Sequence, residues 1–315
     1  MAPSELILHH YDFSNYSEKV RLVLGLKGLG WRSVDIPAYA PKPDYTPLTA
    51  GYRRTPALQI GADVYCDTQL IADRLESLAP VPSIYPADNP AGRAQLDALV
   101  YWAEHSVCRP LALYITGVHA ARFTAAFHAD RARLHGKPCP SEAQVRASAQ
   151  KYLPQIGPQL EKIESLFADG RTWVLGPTPT LADFALYEAP WFLQTIGGEE
   201  ALPSGLPRLR AWMARVAAIG HGVMEVFDPA AALDVARSAE PATLPDDSAG
   251  VFSPEGLEPG DRVRVMPLDN QDTPASGELV VIDKQRIVLA TDGPRTGRVH
   301  VHFPRLGYRC GRLRS

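Results

Sequence analysis

Residues 5–29, ELILHHYDFSNYSEKVRLVLGLKGL, decide the fold, because they read as a short strand, a polar turn and a helix. Residues 6–8 are an apolar run of strand length, and the polar turn follows at residues 12–15. Apolar side chains recur at i, i+3 and i+4 from Val20 onward, which predicts an amphipathic helix. Gly28 is expected to end that helix.

Ser14 lies where the strand delivers the chain to the helix N-terminus. Unpaired backbone N–H groups and the positive end of the helix dipole favour an anion there. A neighbouring hydroxyl can donate a hydrogen bond to a thiolate. The pattern therefore indicates a site for a sulfur anion that a ligand supplies.

The motif S-N-Y-S-E-K-V-R followed by L-x-L-x-x-K-G resembles the first strand–turn–helix of the glutathione transferase superfamily. It is most similar to the serine- and cysteine-type classes, in which the catalytic residue stands six positions before the Val of the V-R pair. Here that residue is Ser14. The family usually has Pro next, where this chain has Asn15, a difference that bears on turn rigidity more than on chemistry.

The stretch G-Y-R-R-T-P-A-L-Q-I-G-A-D-V-Y-C-D-T, residues 51–68, is similar to a bacterial and fungal branch of the same superfamily. The resemblance implies a cis Thr55–Pro56 bond, with the Thr55 backbone pairing the cysteinyl part of glutathione. It also implies that Thr68 and the helix amides bind the γ-glutamyl carboxylate, while Asp67 faces the ammonium group. The implied glutathione site is Ser14, Asn15, Tyr16, Arg54, Thr55, Pro56, Asp67 and Thr68. Arg54 would reach the glycyl carboxylate, and Arg53 is expected to lie in a solvated turn.

The order of predicted elements over residues 1–80 is strand–helix–strand–helix–strand–strand–helix, typical of a thioredoxin-like α/β domain. Residues 90–237 show no strand alternation and predict an all-helical domain. Its central helix should be buried on all sides, because residues 181–193 are almost wholly apolar. Thr180-x-x-Asp183 before it forms a capping box, which the superfamily also carries at this place.

Tyr101, His105 and Arg109 fall at i, i+4 and i+8 on one helical face. In the architecture implied by the resemblance, this face lies across the cleft from the glutathione site and would line the pocket for a second, electrophilic substrate. An exposed face or a dimer contact explains the same pattern equally well, so both interpretations stay open.

Residues 238–258 are rich in Pro, Ser, Gly and acidic side chains and predict a linker. Residues 259–315 contain short alternating strands and predict a small all-β, SH3-like barrel. His300 and His302 alternate with buried positions and are expected on a solvated face; two histidines without a third ligand do not predict a metal site. Six arginines after Pro294 suggest that the barrel docks on the protein's own acidic surface and shields the helical domain, with binding of an anionic partner as the alternative.

Composition sets limits on the class of protein. The formal net charge is −3 and the four cysteines are scattered, so nucleic acid is an unlikely partner and reduced thiols in a cytoplasmic protein are expected. The N-terminus lacks the features of a signal peptide, and no apolar run is long enough to predict a membrane span.

Two functions compete at this point. The resemblance implies a detoxifying glutathione S-transferase, a homodimer in which Ser14 assists attack of the glutathione thiolate on a hydrophobic electrophile. Glutathione is then a co-substrate, and no metal or other cofactor is implied. The alternative is a non-catalytic transferase-like protein that uses the C-terminal barrel to recognise a partner, since fold does not fix chemistry.

Overall fold

The computed structural model describes residues 5–86, 89–244, 251–269 and 274–313. Over these ranges the helices are α1 (Asn15–Leu26), α2 (Thr68–Leu78), α3 (Pro90–Trp102), α4 (Arg109–Val118), α5 (Ala125–Leu134), α6 (Glu142–Gln150), α7 (Leu153–Ser165), α8 (Leu181–Gly197), α9 (Pro207–Ala217) and α10 (Pro229–Arg237). The strands are β1 (Ile7–His10), β2 (Gly30–Asp35), β3 (Ala57–Ile60), β4 (Asp63–Cys66), β5 (Val223–Val226), β6 (Arg262–Pro267), β7 (Ala275–Ile282), β8 (Arg286–Gly293), β9 (Gly297–Pro304) and β10 (Tyr308–Arg312). A π-helical segment, Ala103–Cys108, joins α3 to α4.

The predicted thioredoxin-like sheet is confirmed, but the helix expected between its second and third strands is absent, because residues 43–51 form consecutive turns. Strands run in the order β2-β1-β3-β4, with β1 parallel to β2 and antiparallel to β3. Ala57 lies opposite both His9 and Cys66 on its two neighbouring strands. The segments that follow β1, precede β3 and follow β4 therefore emerge at one edge of the sheet.

The C-terminal strands continue this sheet instead of forming a closed barrel. In the described residues, β6 to β10 make an open antiparallel run in the order β10-β6-β7-β8-β9, and β9 pairs in parallel with β4. The predicted all-β character is confirmed, but the run does not close on itself. The alternating pattern that predicted a barrel identified the strands but could not show that β9 would pair with β4.

The faces of β9 correct a second expectation. Val299, Val301 and Phe303 are buried in a core that also contains Val64 of β4. His302 is not solvated: it is buried, its Nε2 lies 2.8 Å from Asp63 Oδ1, and its ring stacks on Tyr65. The second face of β9 is covered because α2 lies against it and Tyr65 of the paired strand β4 stacks on His302.

Docking of the arginine-rich end on the protein's own acidic surface is limited to one ion pair among the described residues. Arg295 pairs with Asp44 of the thioredoxin-like part at 2.5 Å. Arg298, Arg305 and Arg312 pair with carboxylates of the extension itself. Besides the ion pair of Arg295 with Asp44, the extension is attached by strand pairing, apolar packing and polar contacts such as that of His302 with Asp63. Arg314 lies outside the described residues.

The helical part is built around α8, as predicted. Asp183 at the start of α8 accepts hydrogen bonds from the Thr180 and Val174 amides at 2.9 and 2.8 Å and from Trp212 Nε1 at 3.0 Å. The capping box is therefore present, and it also ties α9 to α8. Among the helices of the described ranges, none is both long and apolar enough to span a membrane.

One strand was missed in the region predicted to be all helical. Val223–Val226 forms β5, which pairs in parallel with β2 at the outer edge of the sheet. Its four residues are exposed and show no alternation, so neither a core face nor a period marked it. Gly222 precedes it at φ 73°, where a Cβ would lie 2.5 Å from the Leu29 carbonyl oxygen.

Candidate active site

Three chain segments meet at the sheet edge defined by the register of β1, β3 and β4. Each leaves hydrogen-bonding groups without a partner in the described residues. Buried or half-buried backbone groups are normally paired, so unpaired groups gathered at one edge mark a surface that is able to take a polar ligand.

Ser14 is the N-cap of α1 and is 2% exposed. Its Oγ accepts a hydrogen bond from the Ser17 amide at 3.2 Å. Because this interaction uses an oxygen lone pair, the hydroxyl proton stays available, and no acceptor for it occurs in the described residues. The amides of Asn15 and Tyr16 are likewise unpaired within the described structure.

Thr55 precedes a cis bond to Pro56. Neither the Thr55 N–H nor its C=O has a backbone or side-chain partner in the described ranges. An unpaired N–H and C=O on one residue present the edge that an extended peptide can join by strand-like pairing.

Asp67 and Thr68 open α2. Asp67 adopts φ 82°, and its Oδ1 accepts from the Gln69 amide at 2.9 Å. The Thr68 amide and hydroxyl have no partner in the described residues. A helix N-terminus with a free amide and hydroxyl suits a carboxylate, and the adjacent Asp67 suits an ammonium group.

Lys42 belongs to this edge, although no sequence pattern marks it beyond a lone cation in a Pro-rich segment. It is 3% exposed, and its Nζ donates to Thr55 Oγ1 at 2.8 Å. No carboxylate of the described residues lies within ion-pair distance of it. The pKa of Lys42 is lowered to about 7, first by burial and then by Arg53 and Arg131, with Asp130 opposing.

The two predicted arginines have other partners. Arg53 is buried and pairs with Asp130 of α5 at 2.5 Å, so the expected solvated turn is wrong. Arg54 pairs with Asp269, just beyond β6, at 2.6 Å. Burial would raise the pKa of Asp269, but Arg54 and, more weakly, Arg109 lower it overall.

Tyr308 of β10 also reaches the site. Its hydroxyl donates to Asp67 Oδ2 at 3.0 Å and lies 2.7 Å from the Tyr52 hydroxyl. Since it is the single tyrosine after residue 250, no local pattern pointed to a role for it.

A buried ionic cluster lies behind the Ser14 turn. Lys19 of α1 pairs with Glu104 of the π-helical segment and with Glu188 of α8, the latter at 3.2 Å. Burial raises the pKa of Glu188 to about 8 against the attraction of Lys19. Asn15 Nδ2 donates to Cys108 Sγ at 2.7 Å, so the Asn15 side chain points to the helical domain and only its amide faces the open edge.

The structure places the predicted second-substrate residues on an exposed face. Tyr101 is 64% exposed and its ring stacks on His105 at 4.0 Å between centroids. Arg109 is exposed as well. Both open interpretations, a pocket wall and a contact surface, remain compatible with this position.

An aromatic cluster lies closer to the Ser14 turn. Phe13 contacts Tyr11 and Phe123 at ring-centroid distances of 4.7 and 6.2 Å, and Phe123 stacks on Phe127 at 4.8 Å. Tyr11 and Phe13 also line a depression of about 500 Å³ beside the turn. Sequence reasoning missed this cluster because two of its rings, Phe123 just before α5 and Phe127 within it, lie far along the chain.

Comparison with known proteins agrees with the fold. A family profile described as "Glutathione S-transferase, N-terminal domain" matches residues 8–83, and one described as "Glutathione S-transferase, C-terminal domain" matches residues 143–215. A GST-like protein from Pseudomonas syringae is 35% identical, over 98% of this chain and 100% of that chain, with a TM-score of 0.77. The fold and the site together define a GST-like protein.

The chain belongs to the glutathione transferase superfamily. The match to the Pseudomonas protein spans nearly the whole chain and so includes the C-terminal strands. By contrast, β-etherase LigF from Sphingobium sp. strain SYK-6 is 20% identical over 68% of this chain and 95% of that chain, with a TM-score of 0.53, a likeness of fold alone. FtsZ-localized protein A from Caulobacter vibrioides is 25% identical over 184 residues, which are 58% of this chain and 74% of that protein.

Proposed function

We propose that this protein is a glutathione S-transferase in which Ser14 assists attack of the glutathione thiolate on a hydrophobic electrophile. The observation that carries the proposal is the set of unpaired donors and acceptors on Ser14, Thr55 and Thr68 at one sheet edge. These groups match in type and order the thiol, the peptide and the γ-glutamyl carboxylate of one extended tripeptide.

Ser14 acts on the sulfur. A free thiol has a pKa of about 8.5, so little thiolate exists at neutral pH. The Ser14 O–H and the free amides of Asn15 and Tyr16 stabilise the thiolate and lower its pKa, and the helix dipole adds to this effect. The thiolate then bonds to the electrophilic carbon and displaces the leaving group or adds to a double bond.

The charged groups at the two ends of glutathione bind to protein groups of complementary polarity. Thr68 and its amide take the γ-glutamyl carboxylate, and Asp67 takes the ammonium group. Lys42 is better placed than Arg54 to pair with the glycyl carboxylate, because it contacts Thr55 and lacks a carboxylate partner in the described residues, whereas Arg54 is paired with Asp269. Buried polar groups that lack partners gain most from a ligand of opposite charge.

The electrophile occupies the aromatic cluster of Tyr11, Phe13, Phe123 and Phe127 beside the depression next to Ser14. Apolar aromatic walls with few polar groups suit a hydrophobic second substrate. Tyr101, His105 and Arg109 stay candidates for its outer wall. Detoxification in the cytoplasm, by a homodimer, is the role that follows.

A second function is favoured by one comparison. The Caulobacter relative is named for its localisation with FtsZ and not for an activity. The alternative proposal is a non-catalytic protein that keeps the glutathione-type site and uses the C-terminal strands to recognise a partner.

Calorimetry with glutathione and with S-methylglutathione, followed by turnover assays on model electrophiles such as 1-chloro-2,4-dinitrobenzene, tests both proposals. The transferase proposal expects binding of both ligands and turnover that depends on Ser14. Binding without turnover across the panel would support the non-catalytic alternative, and absence of binding would refute both uses of the site. Light scattering on the same sample tests the homodimer, which a mass near 34.4 kDa would contradict.

A further inference from the structure

The last described strand, β10, makes a polar contact with Asp67, the N-cap residue of α2. Tyr308 and Tyr52 are 6% and 3% exposed, and their hydroxyls lie 2.7 Å apart. An ionised carboxylate only accepts hydrogen bonds, so the single Tyr308 proton must point to Asp67 Oδ2. Tyr52 must then donate to Tyr308. The result is a directed chain from Tyr52 through Tyr308 to Asp67.

This contact requires the C-terminal strands to curl. The sheet order puts β10 five strand-to-strand steps from β4, which in a flat sheet would separate them by about 24 Å at roughly 4.8 Å per step. Tyr308 nevertheless lies 3.0 Å from Asp67, the residue that follows β4. Phe303 of β9 fills the inside of the curl, because its ring contacts both Tyr52 and Tyr308 at 5.2 and 5.6 Å between centroids.

Asp67 is fixed at both oxygens. Oδ1 accepts from the Gln69 amide and Oδ2 accepts from Tyr308. A carboxylate has about four acceptor positions, so each oxygen keeps room for one more donor. Burial and Glu104 raise the pKa of Asp67 overall, and the Gln69 amide, Lys19 and Tyr308 oppose this rise, so the tyrosine favours the ionised form that an ammonium group needs.

We propose that Tyr308 is a positioning residue of the ligand site, which orients the Asp67 carboxylate toward the α-ammonium group of a γ-glutamyl ligand. The C-terminal extension is then part of the site and sets its preference for ligands that carry this amine. The inference rests on the proposed glutathione site and adds a specificity determinant from a region that the transferase-family profiles do not cover.

Binding of two ligands distinguishes a role of Tyr308 in recognising the amine from a role in packing. Glutathione carries the α-amine, and glutaryl-cysteinylglycine differs by lacking only that amine. In Tyr308→Phe, which keeps the ring and removes the hydroxyl, glutathione should bind about tenfold more weakly. The affinity of the amine-free analogue should stay at the wild-type value. If the wild type turns over an electrophile, KM for glutathione should rise while kcat is unchanged, since Tyr308 does not act on the sulfur.

A matched control is available on the same helix. Tyr85 donates its hydroxyl to Asp73 of α2, so Tyr85→Phe removes a tyrosine–aspartate hydrogen bond away from the site. The Tyr85 hydroxyl also accepts from Gln69 Nε2 at 3.2 Å, but the Gln69 backbone amide that binds Asp67 is not involved, so Tyr85→Phe should leave both affinities unchanged. Tyr52→Phe removes the donor to Tyr308 and should weaken glutathione binding less than Tyr308→Phe, again without effect on the analogue.

The outcomes are distinct. If Tyr308→Phe weakens binding of glutathione and of the amine-free analogue equally, the tyrosine has only a packing role and the inference is overturned. An unchanged affinity for glutathione would also overturn it. A wild-type protein that binds neither ligand would instead overturn the proposed function itself.

Discussion

Lys42 Nζ donates a hydrogen bond to Thr55 Oγ1 across 2.8 Å, which places a buried cation beside the residue whose backbone is free to pair with a peptide. A buried charge without a counter-charge destabilises the folded chain. A buried cation of this kind fits a binding site in which the ligand supplies the negative counter-charge.

Lys42→Met is expected to raise stability by about 1–3 kcal/mol and to weaken glutathione binding. The folded pKa of about 7 lies below the value of about 10.4 for an unfolded lysine. Between these values the unfolded chain binds more protons, so the lysine contribution to stability rises with pH. The advantage of the Met variant should therefore be largest at pH 7 and below and shrink toward pH 10.

Denaturant unfolding of both proteins from pH 6 to 10 measures this. Lys151→Met, at an exposed position, serves as the control and should change little. A Met variant that is less stable than the wild type at pH 7 would show that Lys42 is structural.

Ser14→Ala should lower turnover on the order of 100-fold, by analogy with loss of one donor to a developing anion. Its affinity for S-methylglutathione, which has no thiolate, should change little. Since the variant also loses a helix cap, Ser141→Ala at the N-cap of α6 provides the matched control for stability. Unchanged turnover at saturating glutathione would move the role to Tyr11, Ser17 or the backbone amides.

Thr68→Val keeps the shape of the side chain and removes its hydroxyl. A hydrogen bond to a charged group contributes about 1.5–3 kcal/mol, so the dissociation constant for glutathione should rise roughly tenfold or more. Calorimetry measures it, with Thr116→Val on α4 as the comparison. Equal affinity in the two variants would remove Thr68 from the site.

Glu188→Gln should stabilise the protein at pH 8 and have little effect at pH 4. The folded pKa of Glu188, about 8, lies above the unfolded value of about 4.3. Between these values the folded chain binds more protons, so the contribution of Glu188 to stability falls as pH rises. Glutamine at position 188 does not ionise, so the stability of this variant should not fall with rising pH for this reason.

Thermal melts at several pH values test this. Glu104→Gln serves as the control, with an expected effect of opposite sign. Glu104 is the better exposed partner of Lys19, so its loss should destabilise the chain. A glutamine at position 188 that lowers stability at pH 8 would show that the Glu188 charge is needed to hold Lys19.

Local patterns in the sequence predicted the parts of the fold that depend on neighbouring residues. The strand–turn–helix at Ser14, the hairpin before Asp67 and the capping box at Asp183 are each defined within a few residues, and the structure contains all three. The unpaired groups of Ser14, Thr55 and Thr68 belong to these local units. The sheet order then brings the three units to one edge.

The remaining features depend on contacts between distant residues. Parallel pairing of β4 with β9 joins Asp63 to His300, and nothing in either strand's own pattern selects that partner. The roles of Lys42 and Tyr308 arise from their neighbours in space, Thr55 and Asp67. Residue type alone marked neither of them.

Because β9 shares one core with β4, the extension is expected to unfold together with the thioredoxin-like part. Phe303 is fully buried and contacts Tyr52 and Tyr308. Phe303→Ala should therefore lower the free energy of unfolding by about 3–5 kcal/mol and shift a single calorimetric transition. Deletion of residues 251–315 should lower the melting temperature of the remainder, because it uncovers the β4 edge and the apolar side of Val64.

Leu306→Ala is the control within the same extension, since Leu306 is 86% exposed and such surface changes usually stay within about 0.5 kcal/mol. Scanning calorimetry distinguishes the alternatives by the number of transitions. If Phe303→Ala splits the melt, and the larger transition stays at the wild-type temperature, the C-terminal strands unfold as a separate domain and the shared core does not couple them to the ligand site. If Phe303→Ala instead shifts one calorimetric transition to lower temperature, the C-terminal strands and the thioredoxin-like part unfold as one cooperative unit. Unfolding of β10 then also breaks the contact between Tyr308 and Asp67.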